Sequence, residues 1–398
     1  MLLCRRSVSP KNISSSASRP PDATSAGPAA VAASARSRGS GPANGERLRP
    51  FTYRAGARLE GTILGFDVAG GTGIGFLSNA FTTPARDPRF RPSSRAQWLA
   101  SPQTLTLLGP TGDRLRRAAL APPPGRPFAL GELRLETIAH DAFPGAWALL
   151  AETPHLRALY TGPVGWSAVR GDAVRAADAL CVDATFGDPA FTFPPPEESW
   201  PAFEEKLATA TDAGRAAIVF LPPEENAAAL LGRWVSTSRV VRGHRALVAL
   251  SRRLRTAGIP SLAPLRFAGK LEPGDVLLWP SSQRRSPQLR HLPPGTATTF
   301  FLSGLAAHPP TAASLEVDHA LPWSNLCDHR ALLAFVRATG ARHVATMGAG
   351  AAALADLLAE GPRCAAYPLV PPTQIGLFGE GTHASRFPAS PFVETRGK

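Results

Sequence analysis

Phe76-Leu77-Ser78-Asn79-Ala80-Phe81-Thr82-Thr83-Pro84 and Val182-Asp183-Ala184-Thr185-Phe186-Gly187-Asp188-Pro189 decide how this chain reads. The first is the outflow of a short strand over Gly75–Leu77 that stops at Ser78. The second is the outflow of another over Leu180–Val182. In both, an apolar run breaks abruptly into small and polar residues, which is how a buried strand hands the chain to a loop. Upstream, Leu64, Phe66 and Val68 alternate with small or polar neighbours as in a half-buried strand.

Working outward, the first half is rich in strands, with short apolar runs at Leu133–Thr137, Trp147–Leu150 and Leu159–Thr161. Gln97–Leu108 reads as helical, in two pieces broken at Pro102. From Trp200 the pattern alternates. Helices are expected at Trp200–Thr211, Glu224–Trp234, Arg245–Thr256, His329–Ala338 and Ala351–Ala359. Strands are expected at Ala217–Leu221, Val276–Trp279, Thr298–Leu302, His343–Thr346 and Ala365–Val370. Gly340 and Gly361 stand where left-handed caps would end the last two helices. The sum is an α/β protein with an inserted α/β segment near residues 195–300, and no repeat of fixed period.

The chain has 398 residues and a formal charge of +13, carried almost entirely by arginine. Such a basic surface suits phosphate backbones; a genome biased toward Ala, Arg, Pro and Gly codons would give the same composition. Residues 1–50 hold eight basic residues against Asp22 and Glu46 and read as a low-complexity, disordered tail. That tail is Ser-, Ala- and Arg-rich like a transit peptide, but its prolines and lack of helical period argue against one. No apolar run approaches the roughly 20 residues needed to span a bilayer. The four cysteines, Cys4, Cys181, Cys327 and Cys364, lack CxxC spacing, so neither a thiolate zinc site nor a disulfide framework is indicated, and a cytoplasmic location is expected.

Eight segments, taken in order, resemble the metallo-β-lactamase/β-CASP nuclease superfamily, most closely the DNA-ligase-associated exonuclease branch, which is similar to mRNA 3′-end processing factors. The family's Ser/Thr-His-x-His-x-Asp-His loop matches Ser78–Pro84, with Asn79, Phe81, Thr83 and Pro84 at the ligand positions. Trp98-Leu99-Ala100-Ser101-Pro102-Gln103-Thr104 resembles the family's Tyr-Leu-Ala-Thr-x-x-Thr. Its Pro-Ala-Gly-His-x-x-Gly-Ser-Ala aligns on Gly145-Ala146, which puts Asp141 at the ligand position and His140 one place early. Tyr-Thr-Gly-Asp becomes Tyr160-Thr161-Gly162-Pro163. Glu-Ala/Ser-Thr-Phe-Gly-x-Pro becomes Asp183–Pro189. Ser303-Gly304 matches Ser-Gly-Trp. Ser-Asp-His-Ala-Asp becomes Ser324-Asn325-Leu326-Cys327-Asp328, and Thr-His-Gly becomes Thr346-Met347-Gly348.

The resemblance implies a four-layered αββα sandwich from residues 55–195 and 300–380, with a β-CASP-like cap at 196–299 and tails at 1–54 and 381–398. It implies a DNA-repair nuclease whose two metals sit on these loops, and each ligand position here has changed. The expectation is therefore a pseudoenzyme without a metal cofactor, with a basic cleft that binds DNA or RNA, or with an active nuclease or DNA ligase as partner, and no membrane contact. The alternatives are an active zinc- or manganese-dependent exonuclease that uses Asp141, Asp183 and relocated histidines, and a structural or assembly protein. The pairs His140-Asp141, Asp318-His319 and Asp328-His329 are the candidates for relocated ligands, although Asp328 precedes a helix and reads as its N-cap in preference to a ligand. Gly348-Ala349-Gly350 also has the look of a nucleotide loop, but lacks the acidic residue some 20 positions on.

Overall fold

The computed structural model describes residues 49–371, apart from 71–72, 88–89, 94, 168–173, 293–294 and 362–363. Most of the tail expected at 1–54, and the whole of that at 381–398, lies outside the described residues. Order begins before Ala55, because Phe51 is already buried in a paired strand.

Along the chain come β1 (Phe51–Tyr53), β2 (Ala57–Leu59), β3 (Leu64–Phe66), β4 (Gly73–Phe76), β5 (Ala96–Leu99), α1 (Pro102–Leu107), α2 (Pro110–Leu115) and β6 (Ala119–Leu120). β7 (Phe128–Leu130), β8 (Leu133–Ala139), β9 (Trp147–Glu152), β10 (Arg157–Gly162) and β11 (Ala179–Asp183) follow. Then α3 (Pro196–Asp212), β12 (Ala216–Leu221), α4 (Ala227–Arg233), β13 (Val241–Gly243), α5 (Arg245–Thr256), β14 (Leu265–Arg266) and β15 (Val276–Pro280) alternate. The chain ends through α6 (Pro287–Arg290), β16 (Ala297–Leu302), α7 (Pro309–Ser314), β17 (His319–Leu321), α8 (His329–Thr339), β18 (His343–Met347), α9 (Ala351–Ala359) and β19 (Ala365–Pro368).

These strands make three sheets, ordered β1-β2-β3-β4-β5-β6, β19-β18-β11-β10-β9-β8-β7 and β14-β13-β15-β12-β16-β17. The first two face each other. Phe66 of β3 stacks on Tyr160 of β10 at 4.6 Å, and Leu59, Phe76, Leu149 and Cys181 fill the same apolar layer. On its other face the second sheet meets α8 and α9 through Leu159, Val182, Phe335 and Leu354. All pairings in the third sheet are parallel, so each strand needs a crossover, and the fully buried run of β12 suits a strand covered on both faces. The fold is mixed α/β.

Two expectations need correction. Gln97–Leu99 is strand, paired parallel with β4, because Trp98 and Leu99 are core residues; the helix starts only after Ser101, whose Oγ accepts from Thr104 N at 2.9 Å. The third sheet also passes the expected limit at residue 299. β16 pairs with β12, and β17 with β16, so residues up to Leu321 stay with it before α8 returns to the second sheet. Gly340 ends α8 in the left-handed conformation, φ 67°, whereas Gly361 does not adopt it.

Candidate functional site

The loops leaving β3, β4, β8, β10, β11 and β18 meet at one end of the two facing sheets. Asp67, directly after β3, organises them. Its buried carboxylate accepts from Ser78 N (3.1 Å), Ser78 Oγ (2.5 Å) and Tyr160 OH (2.9 Å), joining the first sheet to the second. Burial pushes the Asp67 carboxyl up, and the hydrogen bonds from Ser78, Tyr160 and Thr83 pull it back. Its φ of 44° is the strained step by which the chain turns its side chain inward. Sequence reasoning missed this residue; the signal was one acid at the end of an apolar strand, ahead of a glycine-rich turn.

The residues at the family's ligand positions hold loops and fill space. Asn79 is fully buried, and its amide is taken up locally: Oδ1 accepts from Phe81 N (2.7 Å) and Thr82 N (2.9 Å), and Nδ2 donates to Ser78 Oγ (2.9 Å) and Thr82 Oγ1 (2.8 Å). Phe81 is 5% exposed and stacks on Phe143 at 4.8 Å. Thr83 caps a short turn in which Pro84 takes the first position. Asp141 Oδ2 accepts from Ser167 N at 3.0 Å, and its carbonyl accepts from Asn325 Nδ2 at 2.8 Å. The His140 imidazole is enclosed, its Nδ1 accepts from Ala142 N at 3.4 Å, and burial lowers its pKa to about 4.

Pro163, Asp183 and Leu326 converge on a void of about 10 Å³, at the lower limit for a single water. Asp183 Oδ1 accepts from Thr185 N (2.8 Å) and Thr185 Oγ1 (2.6 Å), and burial raises its carboxyl pKa. Met347 stands opposite Asp183 in register and packs at the margin of the layer between the sheets. A binuclear metal centre does not fit this set: Phe81, Pro163 and Leu326 present carbon, and no group of three His, Cys, Asp or Glu among the described residues could hold an ion.

The other acid–histidine pairs have structural partners. Asp328 caps α8, accepting from Ala331 N at 2.8 Å, and His329 Nδ1 lies 2.8 Å from Gly187 O. Asp318 accepts from Thr299 N and Oγ1, each at 2.7 Å. Gly350 belongs to packing: a Cβ there would stand 2.6 Å from both Ala184 O and Gly187 N.

Beside this packed region lies a cleft of about 900 Å³ between the loops after β11 and β18 and those of the third sheet. Its walls include Phe186, Phe191, Pro222, Leu305 and Leu326, and its charged lining is Asp188, Glu224 and Glu225, with His308 as the one imidazole among the described residues. The expected basic cleft is corrected here, since no lysine or arginine is among its described lining residues. Glu225 Oε2 accepts from Ser303 Oγ (2.6 Å) and Oε1 from Gly304 N (2.8 Å); burial raises its pKa. Glu224 pairs with Arg86 at 3.1 Å where the cleft adjoins a second hollow of about 340 Å³. These acids also escaped sequence reasoning, which placed Glu224 in a helix; Pro222-Pro223-Glu224-Glu225 is instead the turn at the carboxyl end of β12, where open parallel sheets present their crevices.

Exposed arginines lie over many parts of the surface, among them Arg54, Arg134, Arg215, Arg266, Arg290, Arg330 and Arg337. α5 carries Arg245, Arg252, Arg253 and Arg255 and no acidic residue. Arg253 Nη1 donates to Leu107 O of α1 at 3.1 Å, and its Cδ lies near Gly109, next to α2. Arg114, Arg116 and Arg117 are exposed along α2 and the turn after it. Arg253 thus ties α5 to α1 and to the turn before α2.

No protein-family model matches this chain, and no curated protein matches it. A solved structure described as a protein of unknown function from Enterococcus faecalis V583 is similar over 75% of this chain and 79% of its own, with 15% identity and a TM-score of 0.48. No helix among the described residues is long and apolar enough to cross a membrane.

Proposed function

We propose that this chain is a catalytically degenerate homologue of the metallo-β-lactamase/β-CASP exonucleases that binds nucleic acid without cleaving it. The observation that carries the reading is the set of ligand positions from Asn79 to Met347, whose side chains serve the core and the loops. Apolar burial of this kind contributes roughly 1.5–3 kcal/mol per large side chain, whereas empty carboxylates clustered there would carry a desolvation penalty. The exposed arginines of α5 and of α2 with the turn after it support the partner class. Guanidinium groups on neighbouring helices match phosphates spaced along a backbone, and the acidic cleft would repel them.

The test is a salt titration of binding to a fluorescent single-stranded and a duplex oligonucleotide. Affinity is expected to fall steeply with salt, and R114Q/R116Q/R117Q to flatten the logarithmic slope by roughly 2–3. Binding indifferent to salt and to these substitutions overturns the partner assignment. Phosphodiester cleavage abolished by a chelator overturns the whole reading.

A further inference from the structure

We propose that the 900 Å³ cleft is a binding site for a small organic cation, an amine or guanidine carried on an apolar or aromatic body. This is a second site, independent of the nucleic-acid reading, and it fits a ligand of opposite charge.

Four observations converge on that class. The volume lies within the range of pockets that enclose a small molecule. The walls are apolar enough to reward a hydrophobic body: Phe191 is partly exposed into the space, 5.7 Å from Phe186 and 5.9 Å from the His308 ring. A cation over such a ring face is attracted by the negative face of the ring quadrupole. The charged lining is acidic, Asp188, Glu224 and Glu225, and no described lining residue is a lysine or arginine to answer it. Glu224 is paired on its far side with Arg86, 3.1 Å away in the adjoining hollow.

One feature of the lining favours an anion, the N-terminal end of α9 at Ala349 and Gly350. Its pull is reduced because two of its donors are engaged: Gly350 N donates to Ala184 O at 2.9 Å, and Ala351 N to Gly348 O at 3.3 Å. The ammonium or guanidinium is therefore assigned to the Asp188 and Glu224 side, with the apolar body over Phe191 and Leu305. The carboxylates are already placed. Asp188 Oδ1 is fixed by accepting from Ala190 N at 2.8 Å, and Glu225 by Ser303 and Gly304.

The experiment titrates the full chain calorimetrically with tryptamine, phenethylamine, agmatine and spermidine, against indole-3-acetate and 3-methylindole as anionic and neutral counterparts. At least one amine is expected to bind tenfold or more tightly than indole-3-acetate. D188N/E224Q should weaken that amine by roughly tenfold or more, the scale of losing a charged hydrogen-bond partner. Both substitutions keep a carbonyl acceptor, so the Ala190 contact survives. A352F, at an exposed lining position, should abolish binding by filling the space while every charge stays in place. Oligonucleotide affinity should be unchanged in A352F and no weaker in D188N/E224Q, which removes two negative charges. The proposal is overturned if no amine binds, if indole-3-acetate binds as tightly as the amines, or if either variant binds like the parent.

Discussion

Phe81→Ala tests whether the heart of the degenerate site is a core. Phe81 is 5% exposed and lies face to face with Phe143, ring centroids 4.8 Å apart at 20°. Truncating a buried phenylalanine costs about 3–5 kcal/mol through lost transfer energy and the cavity left behind. About 0.5–1.5 kcal/mol of that belongs to the stacked pair itself. Urea unfolding followed by tryptophan fluorescence reads the total, and a cycle through Phe143→Ala and the double variant reads the coupling. A companion variant, Phe81→His, restores the family's imidazole. If a metal site lay dormant there, zinc at a hundredfold its dissociation constant would return about 2.7 kcal/mol. The expected outcome is a large loss in F81A, coupling near 1 kcal/mol, and no rescue of F81H by zinc. A loss below about 1 kcal/mol in F81A, or a zinc-dependent rise in the F81H midpoint, refutes the reasoning.

Asn79→Ala leaves the amides of Phe81 and Thr82 without their acceptor, and should cost about 2–4 kcal/mol in the same unfolding assay. His140 gives a signed pH effect. Its folded pKa of about 4 lies below the ordinary 6.5, so its contribution is intact above 6.5 and lost as pH falls toward 4, by up to about 3 kcal/mol. Asp67, Asp183 and Glu225 have raised values and act oppositely, losing stability as pH rises through their range, so the His140 effect is read as the difference between parent and H140Q. Gly348→Ala should destabilise by about 1–3 kcal/mol, because φ there is 87° and a Cβ would meet Asp183 Oδ1 at 2.7 Å.

What sequence could reveal followed from local pattern. Ala217–Leu221 is a continuous apolar run and His343–Thr346 carries an apolar centre, and each is a strand within a residue of its expected limits. Asp328 could be read as a cap because its bond to Ala331 N lies within the first turn of its own helix. Partnership was harder. Thr298–Leu302 was placed as a strand, but nothing local says that it joins β12 and not the sandwich sheets. Trp98 and Leu99 look as helical as they look extended, and their burial beside β4 decides. The charge of the cleft was illegible for a different reason: total arginine content does not say where the arginines lie, and Asp188, Glu224 and Glu225 converge from separate loops.

Tyr367 has a consequence for how the molecule is made. Its hydroxyl accepts from Phe51 N at 3.1 Å and donates to Phe51 O at 3.0 Å, while Arg49 covers its ring. The first strand is thus fastened by a residue of the last, 316 positions later. On a ribosome, Phe51 emerges long before its partner exists. β1 can pair early with β2, but the Phe51 N–H and C=O that Tyr367 serves must stay hydrated until almost the whole chain has been synthesised. Closure is then a late, long-range step that pays its loop entropy all at once, and a nascent chain halted before Tyr367 should expose its leading strand to protease or chaperone.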